Sequence, residues 1–366
     1  MKVICQGMEL SDAVSKVAKA LPLKKMNPIL ECIKLTAKDD TLTLLATDLE
    51  LAIEKKIAAE VLIEGEIIVP GKIFTDYCKK IENEEIELDG TLQGKLKIRY
   101  LDSEVSLTCL DVEQYPPFKK VSEEKSFTIM QKGFKALVNK IIFCVSVDDS
   151  RPALKGCCLT VKGDEVEGVA SDGFRLSLCR MPIRKNGIEG KIVIPAKSLS
   201  EISRLIDNEE EEMTVYVEKN FIMADLRHTK VVSRLIAEDY IQYDKIIQKD
   251  FVSELVVDKK QFENAVERVS LISRNELKSY VRMEIKEDFI LLKAQSESGE
   301  IIEKIPISLK GQDLVIGFNS KFLLDCMKAI SDQYITLNFT SGTAPGIIKG
   351  DDKSWLYLVL PLRVIG

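Results

Sequence analysis

The chain has 366 residues, 45% of them hydrophobic and 30% charged, with a formal net charge of −6. It is too long for one core and calls for two or three domains, with the composition of an ordinary soluble globular protein. An acidic balance argues against gripping nucleic acid over the whole surface, so positive charge meant for a polyanion must be gathered in one place.

The opening, "MKVICQGMELSDAV", lacks the apolar run of a signal peptide. No window approaches the roughly 20 uninterrupted apolar residues of a membrane span. Nine cysteines form no C-x-x-C pair, and several, such as Cys32 and Cys109, sit inside apolar runs. They read as buried thiols of a reducing compartment, and a cytoplasmic protein is expected.

Along the chain, the first predicted element is an amphipathic helix with Leu10, Val14, Val17 and Leu21 on one face. Strands follow in "NPILECIKLTA" (27–37) and "TLTLLAT" (41–47). Then "IIVPGKIFTDYCKKI" (67–81) reads as a buried strand running into a helix that packs on Phe74, Tyr77 and Ile81. The alternating runs "EEIELDG", "KLKIRYL" and "EVSLTCL" close this stretch as antiparallel strands.

The same plan then begins again. Phe134, Val138, Ile141 and Val145 repeat the first helix face, and "RPALKGCCLTV" (151–161) lies over 27–37 without a gap. Pro152 falls on Pro28, Leu154 on Leu30, Leu159 on Leu35 and Asp172 on Asp48. "IVIPAKSLSEISRLI" (192–206) supplies Leu199, Ile202 and Ile206. A third copy uses Phe262, Val266 and Val269, then "LKSYVRMEI" (277–285), then "LVIGFNSKFLLDCMKAI" (314–330) with Leu323, Cys326 and Ile330. Three colinear blocks at a near-constant shift define an internal repeat. The expected fold is α+β, in three domains spanning 1–123, 124–250 and 251–366, each with two helices and two small antiparallel sheets.

Catalytic signatures are missing from the sequence. The one histidine, His228, sits in a strand-like run and reads as structural. Zinc needs clustered Cys/His ligands, and none occur. Gly-Lys pairs at 71, 94 and 190 lack the surrounding phosphate-loop pattern, and no G-x-S-x-G or G-x-G-x-x-G turn is present. The acidic runs "ENEEIELD" (82–89) and "DNEEEE" (207–212) read as solvated loops. No catalytic residue, metal or cofactor is expected. Two alternatives stay open on these residues alone: a hydrolase using the acidic runs and a divalent metal, and a monomeric protein-interaction scaffold without a nucleic-acid role.

The six helical segments (15–25, 72–80, 132–140, 197–206, 259–268 and 320–330) all carry net positive charge, together +12, which leaves −18 for everything else. Basic helices against an acidic exterior suit a surface turned toward a polyanion. No basic–aromatic interleaving and no recognition-helix signature appears, so contact with a phosphate backbone without sequence preference is what remains.

At this point the chain resembles a known family over its whole length, the DNA polymerase III beta subunits or β sliding clamps of bacteria. The resemblance rests on the opening "MKV", on "NPIL", "ATDLE" and "ASDGFRL", on the "VP" and "IP" helix starts, and on "LVLPLR" near the end. It implies the DNA clamp fold, a head-to-tail homodimer closing a six-domain ring, and helices lining a hole that holds double-stranded DNA. The candidates to face the duplex are Lys16, Lys19, Lys24, Lys25, Lys72, Lys79, Lys80, Lys132, Lys135, Lys140, Lys197 and Arg204.

The resemblance also implies a pocket where replicative DNA polymerase, clamp loader and repair proteins dock through short linear motifs. Carried over by position, it uses Leu154, Ser171, Gly173, Phe174, Arg175, Leu176 and Ile241. It continues with Leu277, Leu358, Val359, Leu360, Pro361, Leu362 and Arg363. Phe174 stands where relatives often have histidine, and Ile241 and Lys245 stand where proline and arginine are common, departures that bear on the preferred motif. The subunit contact is expected to set the edge near 100–110 against Leu271, Ile272 and the strand 301–306.

Overall fold

The computed structural model describes residues 1–24, 27–273 and 279–363. Among these are six α-helices: α1 (Gly7–Val17), α2 (Gly71–Cys78), α3 (Gln131–Ile141), α4 (Ala196–Arg204), α5 (Lys259–Ser273) and α6 (Ser320–Ala329). Each begins at the residue directly after a strand, for example α1 after Lys2–Gln6 and α2 after Gly65–Pro70. The first N–H groups of a helix have no acceptor within it, and in several of these helices a backbone carbonyl from another segment takes the leading one. Gly7 N–H donates to Glu84 O at 2.9 Å, Gly71 N–H to Glu31 O at 2.9 Å, and Gln131 N–H to Glu211 O at 2.8 Å. Where a cap is used it is the expected residue type: the Asn319 side chain accepts from Lys321 N–H at 2.9 Å.

The helix faces match the apolar spacing. Leu10, Val14 and Val17 of α1 are fully buried, as are Phe262, Val266 and Val269 of α5. The pattern outruns the helices, however. Leu21 follows the short 3₁₀ turn Ala18–Ala20 and Val145 the turn Ile142–Cys144, and both are only half-buried. Ile81, Ile206 and Ile330 likewise lie just past the ends of α2, α4 and α6, yet all three are buried.

The chain divides into two compact units. The first comprises Met1–Lys132, Ile183–Ile188 and Lys197–Leu235. It contains a five-stranded antiparallel sheet in the order 60–63, 2–6, 85–89, 95–100, 103–108, and a nine-stranded antiparallel sheet. In the latter, Thr229–Arg234 pairs with Leu51–Ala58, placing Val232 opposite Ala52.

The second unit comprises Gly133–Pro182, Glu189–Ala196 and the residues from Ile236 onward. It too has a nine-stranded sheet, in which Arg175–Pro182 pairs with Trp355–Val359, and a four-stranded sheet in the order 299–306, 289–296, 280–285, 314–319. The sequence predicts two small sheets per repeat. The structure instead fuses sheets of successive repeats into the nine-stranded ones, because strands 51–58 and 175–182 pair across the repeat boundary and are not left as exposed edges.

All nine cysteines are free and buried. No helix among the described residues is long and apolar enough to cross a membrane.

Candidate nucleic-acid face and peptide groove

The basic side chains on the helices fall into two groups. Lys16 of α1 is held by Asp12, at 2.7 Å, and by Asp207. Burial acts to lower the Lys16 ammonium, but these two carboxylates more than offset it and hold its pKa above the ordinary value. Lys197 meets Asp48 at 2.6 Å, Arg204 meets Glu201 at 2.8 Å, and Lys140 is bonded to Asp352. Lys19 and Lys132 are more loosely placed, 3.9 Å from Glu201 and 3.8 Å from Glu210. Lys135 is half-buried on α3.

By contrast Lys24, Lys72, Lys79 and Lys80 are exposed and form no ion pair among the described residues. Lys25 lies outside the described residues. The charge count over helical windows therefore overstates the field, because Asp48, Asp207, Glu210 and Asp352 lie outside those windows and sit against the lysines. Of the candidate lysines, those left lie at the two ends of α2 and just beyond α1, and Lys321 and Lys328 of α6 are likewise exposed with no ion pair among the described residues. Exposed cations with no fixed partner attract a polyanion diffusely, over a range of about 8 Å at physiological salt.

The run 207–212 is spent on the same kind of contact. Besides Asp207 and Glu210, Glu211 meets Arg227 at 3.1 Å and Glu212 lies 3.9 Å from Arg184. Among the described residues no group of three or more His, Cys, Asp or Glu side chains is placed to hold a metal ion.

The second site is built in the second unit around the turn Ser171–Arg175. Asp172 Oδ1 accepts from the N–H of Phe174 at 2.9 Å and of Arg175 at 3.0 Å, while Ser171 Oγ donates to Arg175 O at 2.8 Å. Gly173 has φ +89°, which a glycine adopts without strain, and a Cβ there would come within 3.0 Å of Arg151 Nη1. The turn thrusts Phe174 into solvent, 63% exposed. Phe174 O accepts from Leu360 N–H at 2.9 Å, which ties the turn to the last strand.

Strand alternation then divides the carried-over residues between two faces. Leu154, Leu176 and Leu358 are buried in one apolar cluster with Tyr240, Tyr243 and Ile347, and the half-buried Ile241 and Leu360 pack against it. Arg175 and Val359 pair with each other on the opposite face. There the Arg175 guanidinium donates to Asp172 at 2.9 Å, Asp325 of α6 at 2.7 Å and Phe143 O at 3.0 Å, and stacks 4.5 Å from the Phe322 ring.

Leu362 N–H donates to Gly317 O at 2.8 Å, anchoring the chain end to strand Leu314–Asn319, and Arg363 is exposed. Leu277 lies outside the described residues. The structure thus brings together the leucines and Ile241 as an apolar floor beside an exposed aromatic lip. It places Arg175 beneath them as a structural tie. Such a floor accepts alternate apolar side chains of an extended segment. The tyrosines 240 and 243 and Asp325 were not singled out in the sequence; the repeat shift that carries Tyr115 onto Tyr240 is the signal that finds the first of them.

Comparison with known proteins covers the whole chain. Family models match in all three parts: "DNA polymerase III beta subunit, N-terminal domain" over residues 1–119, the central domain over 128–241, and the C-terminal domain over 244–363. A curated relative named beta sliding clamp, from Bacillus subtilis, is 29% identical, covering 99% of this chain and 100% of its own. Among solved structures, the DNA polymerase sliding clamp from Bacillus subtilis is similar with a TM-score of 0.96 at 28% identity over all of both chains. The DNA polymerase III beta subunit from Thermotoga maritima has a TM-score of 0.93 at 28% identity, again over all of both chains.

Proposed function

This chain belongs to the DNA polymerase III beta subunit family, and from that membership we infer that it is a DNA sliding clamp, a processivity factor that encircles duplex DNA without sequence preference. The observation that carries this reading is the family match in all three parts of one chain of full relative length. The three parts are read as domains spanning 1–123, 124–250 and 251–366. The clamp acts in the cytoplasm as a tether, with no catalysis of its own.

Encirclement by a chain of three domains needs a second copy. Two unlike sheet edges support a head-to-tail contact: Ser103–Thr108 ends the five-stranded sheet and Gly299–Pro306 ends the four-stranded one. Beside the first edge is a cavity of about 440 Å³ lined by Tyr77, Ile81, Tyr100 and Val105. Near the other, Leu271 is 55% exposed at the end of α5, and Arg268 of the same helix bonds Glu303 of the edge strand at 2.7 Å. The leucine of one copy entering the cavity of the next is a heterologous contact, which makes a ring when the rotation closes. Sedimentation tests this: the chain runs at twice its own mass, and Leu271→Asp runs as a monomer.

Lys24, Lys72, Lys79 and Lys80, exposed and without an ion pair among the described residues, are assigned to face the duplex with the loosely paired Lys19 and Lys132. The apolar floor of Leu154, Leu176, Ile241, Leu358 and Leu360, with Phe174 at its lip, is assigned to the linear motifs of polymerase, clamp loader and repair proteins.

A further inference from the structure

We propose that a cleft in the first unit is a second docking site, for an extended segment of a partner protein that combines apolar and acidic side chains. The proposal rests on reading the groove of the second unit as a motif-docking site, since the two are built alike.

The likeness is residue by residue. The apolar cluster of the first unit contains Leu30, Leu45 and Ala52 where that of the second contains Leu154, Val169 and Leu176. Tyr115 stands for Tyr240 and Val232 for Leu358. The cross-strand pair Ala52–Val232 repeats the pair Leu176–Leu358. The turn is copied too: Asp48 Oδ1 accepts from Glu50 N–H at 3.1 Å and Leu51 N–H at 2.8 Å, as Asp172 does in its own turn. On this shared frame the first unit opens a cleft of about 160 Å³, walled by Phe118 and Phe221 over a floor of Leu45, Ala52 and Val232.

Two observations mark the cleft as more than an echo of the repeat. At its lip Leu49 occupies the position of Gly173 with φ +74°, a backbone region a leucine enters only under strain, and its side chain is 59% exposed. A strained, exposed apolar residue at the mouth of an apolar cleft fits a contact with another chain. The other lip is set for carboxylates. Lys119 Nζ stands 5.3 Å over the Phe221 ring and already holds Glu218 at 3.4 Å, and Lys120 beside it is exposed with no ion pair among the described residues. Glu50, the acid on the Leu49 side, faces Arg234 at 3.5 Å, which partly offsets its charge. An apolar anchor between the phenylalanines, followed by acidic residues against Lys119 and Lys120, satisfies both lips.

The test uses the whole chain with fluorophenylalanine in place of phenylalanine, titrated with the acetylated peptide Leu-Phe-Asp-Asp and followed by fluorine NMR. Resonances are assigned by replacing Phe118, Phe221 and Phe174 with leucine one at a time. The expected result is saturable shifts at Phe118 and Phe221 that weaken about tenfold in Lys119→Glu and persist in Leu360→Asp, which disables the other groove. Shifts at Phe174 alone at millimolar peptide, or shifts at Phe118 and Phe221 that vanish in Leu360→Asp, overturn the proposal. Shifts at Phe118 and Phe221 with a silent Phe174 support the cleft while removing the reading of the second-unit groove.

Discussion

Arg175 Nη1 donates to Asp325 Oδ2 at 2.7 Å, joining a central sheet strand to helix α6 across 150 residues of sequence. The arginine is 8% exposed and its Nε is taken by Asp172 at 2.9 Å, so one guanidinium fixes both the turn that carries Phe174 and the helix behind it. Removing one member of a buried pair leaves the others unpaired. Arg175→Ala is therefore expected to cost about 3 kcal/mol, and Asp325→Asn, which keeps an acceptor, about 1 kcal/mol. The only tryptophan, Trp355, lies in the same unit, with its indole N–H on Ser177 Oγ at 2.9 Å. Its fluorescence during urea unfolding reads both variants.

Trp355 also reports a pH effect. Burial would raise the neighbouring Asp352 carboxyl, but Lys140 and Ser354 hold it down at about 2, from an ordinary 3.8. A carboxyl depressed in the folded state contributes stability that is complete above the unfolded pKa and is lost as pH falls through the folded one. Urea midpoints followed at Trp355 should fall between about pH 4 and pH 2. Asp352→Asn should flatten that part of the profile, because the titrating group is gone.

The two groups of helix cations should behave differently on DNA. Lys72, Lys79 and Lys80 have no carboxylate partner among the described residues, so changing all three to glutamine is expected to reduce salt-dependent attraction to duplex DNA severalfold. Lys140→Gln should change it far less, since Asp352 already neutralises that charge. Diffusion of labelled, loaded clamp along stretched DNA at several salt concentrations compares the two, with faster sliding for the triple variant.

Leu49 offers a stability test separate from binding. Placing glycine in the φ +74° position removes the clash that strains a leucine there, so Leu49→Gly should stabilise the first unit by about 1 kcal/mol. The sign is the reverse of the usual loss on introducing glycine, and thermal unfolding reads it directly.

Periodicity made the helices and strands legible. The strand 41–47 has the bounds its alternation gives, and α5 buries the three residues named for it. Leu21 and Val145 kept the apolar spacing beyond their helices because a 3₁₀ turn continues the chain along nearly the same line. The fusion of sheets was not legible, since pairing between Thr229–Arg234 and Leu51–Ala58 joins segments that no local pattern links. The charge of the helices was legible in sign only. Asp207 and Asp352 reach Lys16 and Lys140 from loops distant in sequence, and no window on the helix registers them. Around the turn Ser171–Arg175, the repeat and the family pattern name Leu154, Leu176 and Leu358, which the structure gathers in one apolar cluster, whereas the face that Arg175 takes depends on strand alternation, which the motif alone does not give.

The central claim is that DNA is held by being surrounded, and topology tests it most directly. Clamp is loaded onto nicked circular duplex, the circle is cut once with a restriction enzyme, and the protein still bound is measured by gel filtration. The account predicts retention on the closed circle and rapid loss once the molecule has ends. Equal retention on circular and linear DNA would contradict it.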